Sequence, residues 1–358
     1  MAEPRLTAHI RHSLGDFILD AELDLPATGI SVIFGPSGCG KTSLLRCLAG
    51  LEQPKGQITF GDHVWLSPSV NLPAHQRPIA YVFQEASLFP HLNVADNLAF
   101  AERHALKRSA SSEKDALLDL FDIGHTLKRT PESLSGGERQ RVAIVRALMR
   151  QPALLLMDEP LASLDEGRKQ DILPYIERLR DELNTPVIYV THSLAETARL
   201  ADYLVALEQG CTTISGPLHE ILTDQAFPAD IGSEAGSIIE GGISSIDSHW
   251  QLAHVHIDTG VSLRLPAQGL RPGQAVKLWI QARDISLSHQ PESHSSILNT
   301  LPCTITDIRQ DANPAMCIVY LRCGKHTLLT RITRASGNHL QLRPGLSLYA
   351  QIKAAALI

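Results

Sequence analysis

The chain has 358 residues, more than one hydrophobic core usually serves, so its length predicts two domains or one domain with an appendage. Hydrophobic residues make up 44% and charged residues 20% of the sequence, which is typical of globular proteins and excludes disordered and collagen-like classes. The formal net charge of −6 argues against a nucleic-acid partner, although backbone amides and a few lysines can still bind phosphate locally.

The sequence gives no sign of a membrane span or a secretory signal. No stretch approaches the roughly 20 apolar residues that cross a bilayer, and the first thirteen residues lack the apolar core of a signal peptide. We therefore expect any membrane connection to run through a partner protein. The six cysteines form no CxxC pair and no metal-binding spacing, so we expect reduced thiols in a cytosolic protein.

Residues 1 to about 230 alternate short β-branched runs with helical patterns, which predicts a mostly parallel α/β sheet. The predicted strands are Ile30–Phe34, Ile79–Phe83, Ala153–Met157, Val187–Val190 and Tyr203–Leu207, and the predicted helices cover about 41–50, 137–151, 166–184 and 193–200. The stretch from Asn93 to Arg129 is helical and rich in mixed charge, which indicates a helical insertion in this domain.

The pattern changes after residue 230. Ile231–Gly242 is rich in glycine and serine and predicts a linker. Alternating runs then predict a small β-barrel or β-sandwich, at Leu252–Ile257, Val261–Leu265, Val276–Ala282, Cys303–Ile308, Cys317–Leu321, Leu328–Ile332 and Leu346–Ile352. We divide the chain into an α/β domain (1–230), a linker with an accessory β segment (231–292) and a small all-β domain (293–358).

The strongest motif is GxxxxGK followed by threonine, placed between an apolar strand and a helix. It consists of Gly35, Pro36, Ser37, Gly38, Cys39, Gly40, Lys41 and Thr42. The glycines let the loop wrap a phosphate with its amides, while the helix N-terminus adds a positive dipole. We expect Lys41 to reach the β- and γ-phosphates of ATP and the Thr42 hydroxyl to bind Mg²⁺.

Two carboxylates, Asp158 and Glu159, end the apolar strand that begins near Leu154. In P-loop NTPases the first carboxylate at such a strand end holds magnesium, which assigns Asp158. Glu159, one residue further, is free to accept a proton from the attacking water, so we predict that it is the general base.

A second Ser/Gly-rich turn, with Ser135, Gly136 and Gly137, leads into the helix near 137–151 and predicts a second anion site. One nucleotide does not need two such loops on one chain, so this loop is expected to serve the nucleotide of a second copy. The sequence from Leu134 to Gln140, LSGGERQ, resembles the signature of the ABC ATPases, and the resemblance covers about residues 1–230.

The resemblance implies roles for further residues. Gln84 matches the glutamine that touches Mg²⁺ and senses the membrane subunit, Asp165 matches the D-loop aspartate at the dimer interface, and His192 matches the switch histidine at the γ-phosphate. The aromatic residue on which adenine often stacks is replaced by Leu14. Phe17 or His12 could take that place, and Phe17 is equally suited to the core.

The tail resembles a Mop-type (TOBE-like) oxyanion-binding module over about 293–358, in its opening near Ser295–Ile308 and its closing Tyr349–Ile358. Together with the stretches Gln84–His91 and Ile280–Ser288, it is similar to the ATP-binding subunits of molybdate importers. The resemblance implies that Ser296, Ser336 and Lys353 are oxyanion ligands. The alternative is that they are ordinary residues on the surface of the β-barrel. Leu298 stands where the pattern has arginine.

The resemblance therefore implies a homodimeric ABC ATPase that couples ATP hydrolysis, with Mg²⁺, to molybdate import. It would lie peripherally on the cytoplasmic face of the inner membrane and act with permease subunits and, indirectly, with a solute-binding protein outside the cell. Within this class, the alternative is the ATPase of an importer for another oxyanion or small solute, such as sulfate, tungstate or ferric iron. Outside it, an ABC ATPase acting on DNA or ribosomes is disfavoured because long coiled coils are lacking, and a P-loop kinase is disfavoured by the signature loop.

Overall fold

The computed structural model describes residues 4–105, 111–182, 185–222, 235–258, 261–267, 269–291 and 295–357. The chain divides into two compact units, Met1–Leu218 and His219–Ile358. Within the described residues, no helix combines the length and the apolar character needed to cross a membrane.

In the described part of the first unit, ten strands form one sheet. They are β1 (Arg5–Leu14), β2 (Phe17–Pro26), β3 (Ile30–Phe34), β4 (Lys55–Phe60), β5 (His63–Leu66), β6 (Ile79–Val82), β7 (Leu154–Asp158), β8 (Val187–Thr191), β9 (Tyr203–Glu208) and β10 (Cys211–Pro217), in the order β5-β4-β1-β2-β10-β9-β3-β8-β7-β6. The five predicted strands are confirmed as the parallel half of the sheet, from β9 to β6. Every residue of β3, β7 and β8 is buried, which explains their continuous apolar sequences.

Helices flank this sheet and carry the connections between its strands. They are α1 (Lys41–Ala49), α2 (Val94–Arg103), α3 (Ser111–Leu120), α4 (Gly136–Leu148), α5 (Glu166–Glu182) and α6 (Leu194–Leu200), while α7 (Leu218–Ile221) spans the division between the units. The predicted helical insertion is confirmed as α2 and α3, and residues 106–110 between them lie outside the described residues.

Among its described residues, the second unit consists of strands apart from three short helical segments, at 219–221, Ala282–Asp284 and Arg334–His339. One sheet has the order β13-β12-β11-β14-β20 and the other β15-β19-β16-β17-β18. These elements are β11 (Gly236–Asp247), β12 (Leu252–Asp258), β13 (Val261–Pro266), β14 (Ala275–Gln281), β15 (Ile285–Ser288), β16 (Asn299–Gln310), β17 (Met316–Cys323), β18 (His326–Thr333), α8 (Arg334–His339), β19 (Ser347–Ile352) and β20 (Ala356–Leu357). Residues from both sheets form one hydrophobic core, which confirms the predicted small β domain.

Strand β11 occupies most of the stretch for which glycine and serine content predicted a linker, so that expectation is wrong for residues 236–242, while 231–234 lie outside the described residues. Ile239 and Ile243 of this strand are buried in the core. Gly236 is required by close packing, because a Cβ there would lie 2.6 Å from the Trp279 ring. The three-part division at 230 and 292 stays a prediction.

The expectation of six reduced thiols is wrong for two of them. Strands β16 and β17 pair Thr304 with Arg322, which brings the Cα atoms of Cys303 and Cys323 within 4.5 Å, and the two form a disulfide. Their spacing of 20 residues matches no motif, so only the strand register reveals the pair. Cys39, Cys47, Cys211 and Cys317 are free thiols.

Candidate nucleotide-binding site

The P-loop joins β3 to α1 and holds its lysine in place. Gly40 precedes the helix with φ of 102°, a conformation that side chains other than glycine rarely adopt. Lys41 is only 4% exposed, and its Nζ donates to the carbonyl oxygens of Gly35 at 2.8 Å and Pro36 at 3.0 Å. The same ammonium lies 3.5 Å from Glu159 Oε1. The Lys41 ammonium of the predicted loop is therefore buried beside the end of β7, next to Asp158 and Glu159.

Asp158 ends β7 and accepts two hydrogen bonds, from the Thr42 hydroxyl at 2.9 Å and from the Tyr81 phenol at 2.8 Å. Burial raises the pKa of Asp158, against the lowering effect of these two bonds and of Lys41. The structure thus brings the predicted pair Thr42 and Asp158 together. Tyr81 has no predicted role, and its position three residues before Gln84 is the signal that could have found it.

The donor set at this strand edge fits magnesium. A threonine hydroxyl and one carboxylate, completed by phosphate oxygens and water, are typical Mg²⁺ ligands in nucleotide sites. The parallel pairing of Val82 with Met157 makes Gln84 leave the sheet at the same edge as Asp158, and its side chain is exposed. Among the described residues, no cluster of three His, Cys, Asp or Glu side chains forms a self-sufficient metal site.

Glu159 adopts a positive φ of 43°, and its N–H donates to the Val190 carbonyl at 3.0 Å. This backbone turn presents the carboxylate to two cations or donors at once, because Oε2 lies 3.2 Å from His192 Nδ1 while Oε1 faces Lys41. The His192 side chain is 50% exposed and that of Glu159 17%. The predicted base and switch histidine are thus in direct contact beside the P-loop.

Ser135 is the N-cap of α4 and forms a full capping box with Glu138. The Ser135 N–H donates to Glu138 Oε2 at 2.7 Å, and the Glu138 N–H donates to Ser135 Oγ at 3.2 Å. The first amides of a helix have no intrahelical acceptor, so the N–H groups of Gly136 and Gly137 are left to bind an anion. The Ser135 hydroxyl oxygen already accepts from the Glu138 N–H, so its own O–H can point away from the helix.

The remaining predicted nucleotide residues, and the Leu14 position, differ in exposure. Asp165 is exposed and accepts from the Arg168 N–H at 3.0 Å, at the start of α5. Leu14 is 38% exposed on β1, and His12 lies 3.7 Å from Glu52. Phe17 packs partly against the main core, and its ring would lie 3.1 Å from a Cβ on Gly40, so it borders the P-loop.

The predicted oxyanion ligands lie apart along the second unit's sequence. Ser296 and Lys353 are exposed, and Leu298 is 58% exposed. Ser336 lies on α8, where its N–H donates to the Thr333 hydroxyl, and it lines a cavity of about 660 Å³ with Arg283, Arg331 and His339. Neither Ser296 nor Lys353 is among the described residues that line this cavity.

Comparison with known proteins places this site in a family. The family model described as ABC transporter matches residues 18–162, and that of the TOBE domain matches residues 295–358. The molybdenum import ATP-binding protein ModC of Thiobacillus denitrificans is 46% identical over 99% of this chain and 98% of its own length. ModC of Pseudomonas fluorescens is also 46% identical, over 99% of this chain and 100% of its own length.

Two solved structures of ABC-type proteins share the fold of part of this chain. CbiO1 of Clostridium perfringens, part of the ABC transporter complex CbiONQ, superposes with a TM-score of 0.55 at 22% identity over 63% of this chain and 93% of that chain. A dimeric ATP-binding cassette in a post-hydrolysis state bound to ADP and phosphate superposes with a TM-score of 0.50 at 24% identity, over 61% of this chain and 99% of that one.

Fold, motifs and family models define the class as the ATP-binding proteins of ABC transporters with a TOBE domain, as the sequence predicted. At 46% identity along nearly its whole length, the chain belongs within that class to the molybdenum import ATP-binding proteins.

Proposed function

We propose that this chain is the ATP-hydrolysing subunit of a molybdate importer and works as a homodimer beneath a membrane permease. The contact of Glu159 with both Lys41 and His192 carries the ATPase part, because it places a carboxylate base beside the phosphate cradle. The family of its relatives, named for molybdenum import, supports the choice of molybdate.

In the proposed reaction, Lys41 and the P-loop amides bind the β- and γ-phosphates, and Glu159 accepts the proton of the attacking water. His192 donates a hydrogen bond to the γ-phosphate. Thr42, Asp158 and Gln84 would hold Mg²⁺, which would neutralise phosphate charge. When ATP binds, Lys41 exchanges its carbonyl and carboxylate contacts for phosphate oxygens, which frees Glu159 to accept a proton.

The second half of each site comes, in this proposal, from a second copy. The first-turn amides of Gly136 and Gly137, with the Ser135 hydroxyl, would bind the γ-phosphate across the dimer interface. Asp165, exposed at the start of α5, would line the same interface. Closure of the dimer then depends on ATP, and hydrolysis reopens it.

The segment Gln84–Asn97 is proposed to pass this motion to the permease. Buried Asn97 on α2 binds the loop before it, accepting from the Phe89 N–H at 2.8 Å and donating to the Leu92 and Asn93 carbonyls. A cavity of about 670 Å³ beside this loop, lined by Phe83, Phe89, Phe100 and Arg146 among others, suits a protruding segment of a partner. Because Asn97 is bonded to this loop, a displacement of the loop also moves α2.

The location follows from the partners. We propose that the chain lies peripherally on the cytoplasmic face of the inner membrane and that a separate solute-binding protein captures the substrate outside. The assignment of Ser296, Ser336 and Lys353 as oxyanion ligands stays a prediction.

Uptake measurements test the function. Cells lacking this gene should lose high-affinity molybdate accumulation, and a wild-type copy should restore it while the Lys41→Ala variant, unable to hold the phosphates, should not. The matched control is Arg199→Met, outside the site, which should restore uptake. If the wild-type copy restores accumulation of sulfate, tungstate or ferric iron instead, the substrate is wrong; unchanged accumulation of all four would contradict an importer.

A further inference from the structure

Glu196, a buried carboxylate on α6, has no part in the reaction described above. It is 6% exposed, and its Oε2 accepts from the Tyr189 phenol at 2.9 Å and from the Thr191 hydroxyl at 2.8 Å. Its Oε1 lies 3.4 Å from Lys169 Nζ on α5. Burial, followed by the charge of Glu196, raises the pKa of Tyr189 well above its ordinary value, so the phenol remains a donor.

The contacts of Glu196 differ from those that its sequence pattern predicts. Ser193 and Glu196 have the spacing of a capping box, in which the glutamate binds the N–H of the N-cap residue, as Glu138 does for Ser135. Here the Ser193 N–H donates to the Thr191 hydroxyl at 3.0 Å instead. The carboxylate of Glu196 is thereby released to bind Thr191 and Lys169.

These hydrogen bonds are made by the residues on either side of His192 in the chain. The hydroxyl of Thr191, the residue before it, accepts from the N–H of Ser193, the residue after it, and donates to Glu196. The backbone on both sides of the histidine is therefore fixed to a buried charge, while its imidazole stays half exposed and in contact with Glu159.

The other oxygen of the carboxylate reaches the second predicted interface element. Lys169 lies in the first turn of α5, and its N–H donates to the Asp165 carbonyl at 3.0 Å. One carboxylate thus joins the segment of the switch histidine to the turn that presents Asp165. A shift of either segment would strain the same ion pair, in which the carboxylate is buried.

We propose that Glu196 is a positioning residue of the ATPase site, which holds His192 in place through Thr191 and keeps it in register with Asp165 through Lys169. The inference rests on the proposed function, since it assumes that His192 and Asp165 act on ATP. Glu196 itself touches neither nucleotide nor water in the reaction, and its effect appears in turnover and not in nucleotide binding.

The test compares two ion pairs that join the same two helices. Glu196→Gln keeps an oxygen acceptor for Tyr189 and Thr191 but turns an amide toward Lys169, whereas Arg199→Met removes the pair between Arg199 on α6 and Glu177 on α5. We expect E196Q to lower kcat about 10- to 100-fold, the scale of a small misplacement of a reacting group, with the Kd for ATP unchanged. R199M should keep the wild-type kcat even where both variants lose a similar amount of thermal stability.

A double-mutant cycle separates positioning from packing. In the His192→Ala background, E196Q should lower kcat much less than it does in the wild type, because its effect passes through the missing imidazole. Equal kcat in E196Q and R199M, or an equal effect of E196Q with and without His192, overturns the inference. If E196Q does not fold, Lys169→Met, at a side chain 18% exposed, takes its place with the same expected result. An H192A variant with wild-type turnover would instead overturn the proposed function.

Discussion

At the scale of single residues, Glu159 depends on a backbone conformation that its side chain does not favour. A φ of 43° in a residue other than glycine costs free energy, and the N–H bond to Val190 is one of the contacts that hold it. The benefit is that both carboxylate oxygens face functional groups, Lys41 on one side and His192 on the other.

Glu159→Gln should slow ATP turnover at least about 100-fold, since a positioned general base contributes on that scale, while ATP binding is retained. The variant should accumulate as an ATP-bound dimer, because closure does not require proton transfer. Steady-state hydrolysis, calorimetric ATP binding and gel filtration with ATP measure the three quantities. Turnover at the wild-type rate would contradict the role of Glu159 as the base.

Sequence motifs located residues that meet at this candidate site, but they did not locate the neighbours of those residues. Lys41, Asp158 and His192 belong to motifs whose order and spacing carry information along the chain. Tyr81 and Glu196 were missed because each contacts a residue that is distant in sequence. Tyr81 binds Asp158, and Glu196 pairs with Lys169. Such contacts follow from sheet order and burial, which no local pattern specifies.

At the scale of elements, the start of α4 is organised by one carboxylate. The hydrogen bond from the Ser135 N–H, with contacts from His125 and Arg129, lowers the pKa of Glu138 from 4.5 to about 2. This carboxylate holds the serine and the two glycine amides in the geometry of a capped helix end.

Glu138→Gln should therefore be less stable than the wild type at neutral pH, and the difference should shrink in acid. A lowered carboxylate pKa stabilises the folded protein above the unfolded-state value of 4.5, and this contribution is lost as the pH falls toward about 2. Urea unfolding midpoints at pH 7, 4 and 3 measure the difference. If it is the same at all three, the carboxylate charge does not stabilise the helix start.

In the first unit, strands buried on both faces were predictable, whereas β1 and β2, each with one exposed face, were not. The continuous apolar sequences of β3, β7 and β8 predicted the parallel strands. Strands β1 and β2 alternate buried with exposed residues, and small or charged side chains such as Ala8 and Arg11 weaken that pattern. In β11 the glycines that suggested a linker instead allow close packing in a sheet.

At the scale of the whole assembly, the proposed dimer contains two composite sites, each with a P-loop from one chain and a signature loop from the other. Gly137→Asp tests this because a Cβ there meets Ile172 only at 3.7 Å, so the change introduces charge without a steric clash. The new carboxylate repels the γ-phosphate that would dock on the loop.

Gly137→Asp and Lys41→Ala should each abolish hydrolysis alone, yet a mixture should recover about a quarter of wild-type activity, since half of randomly paired dimers have one site free of both changes. ATPase assays on the mixed chains, with differently tagged copies to count heterodimers, measure the recovery. Heterodimers without activity would contradict two independently working sites formed between chains.

The position of β3 in the sheet also determines when the nucleotide site can form during synthesis. The P-loop follows β3 near the start of the chain, but both neighbours of that strand, β8 and β9, are translated about 150 residues later. At typical rates of about 5–20 residues per second, the strand waits roughly eight to thirty seconds for its partners. A ribosome-bound chain that ends before Val187 therefore contains the entire P-loop and signature sequences without the sheet that aligns the lysine with its acids. ATP can assist folding only near the end of the first unit's synthesis, so a motif that is translated early becomes functional only when the last strands of that unit are present.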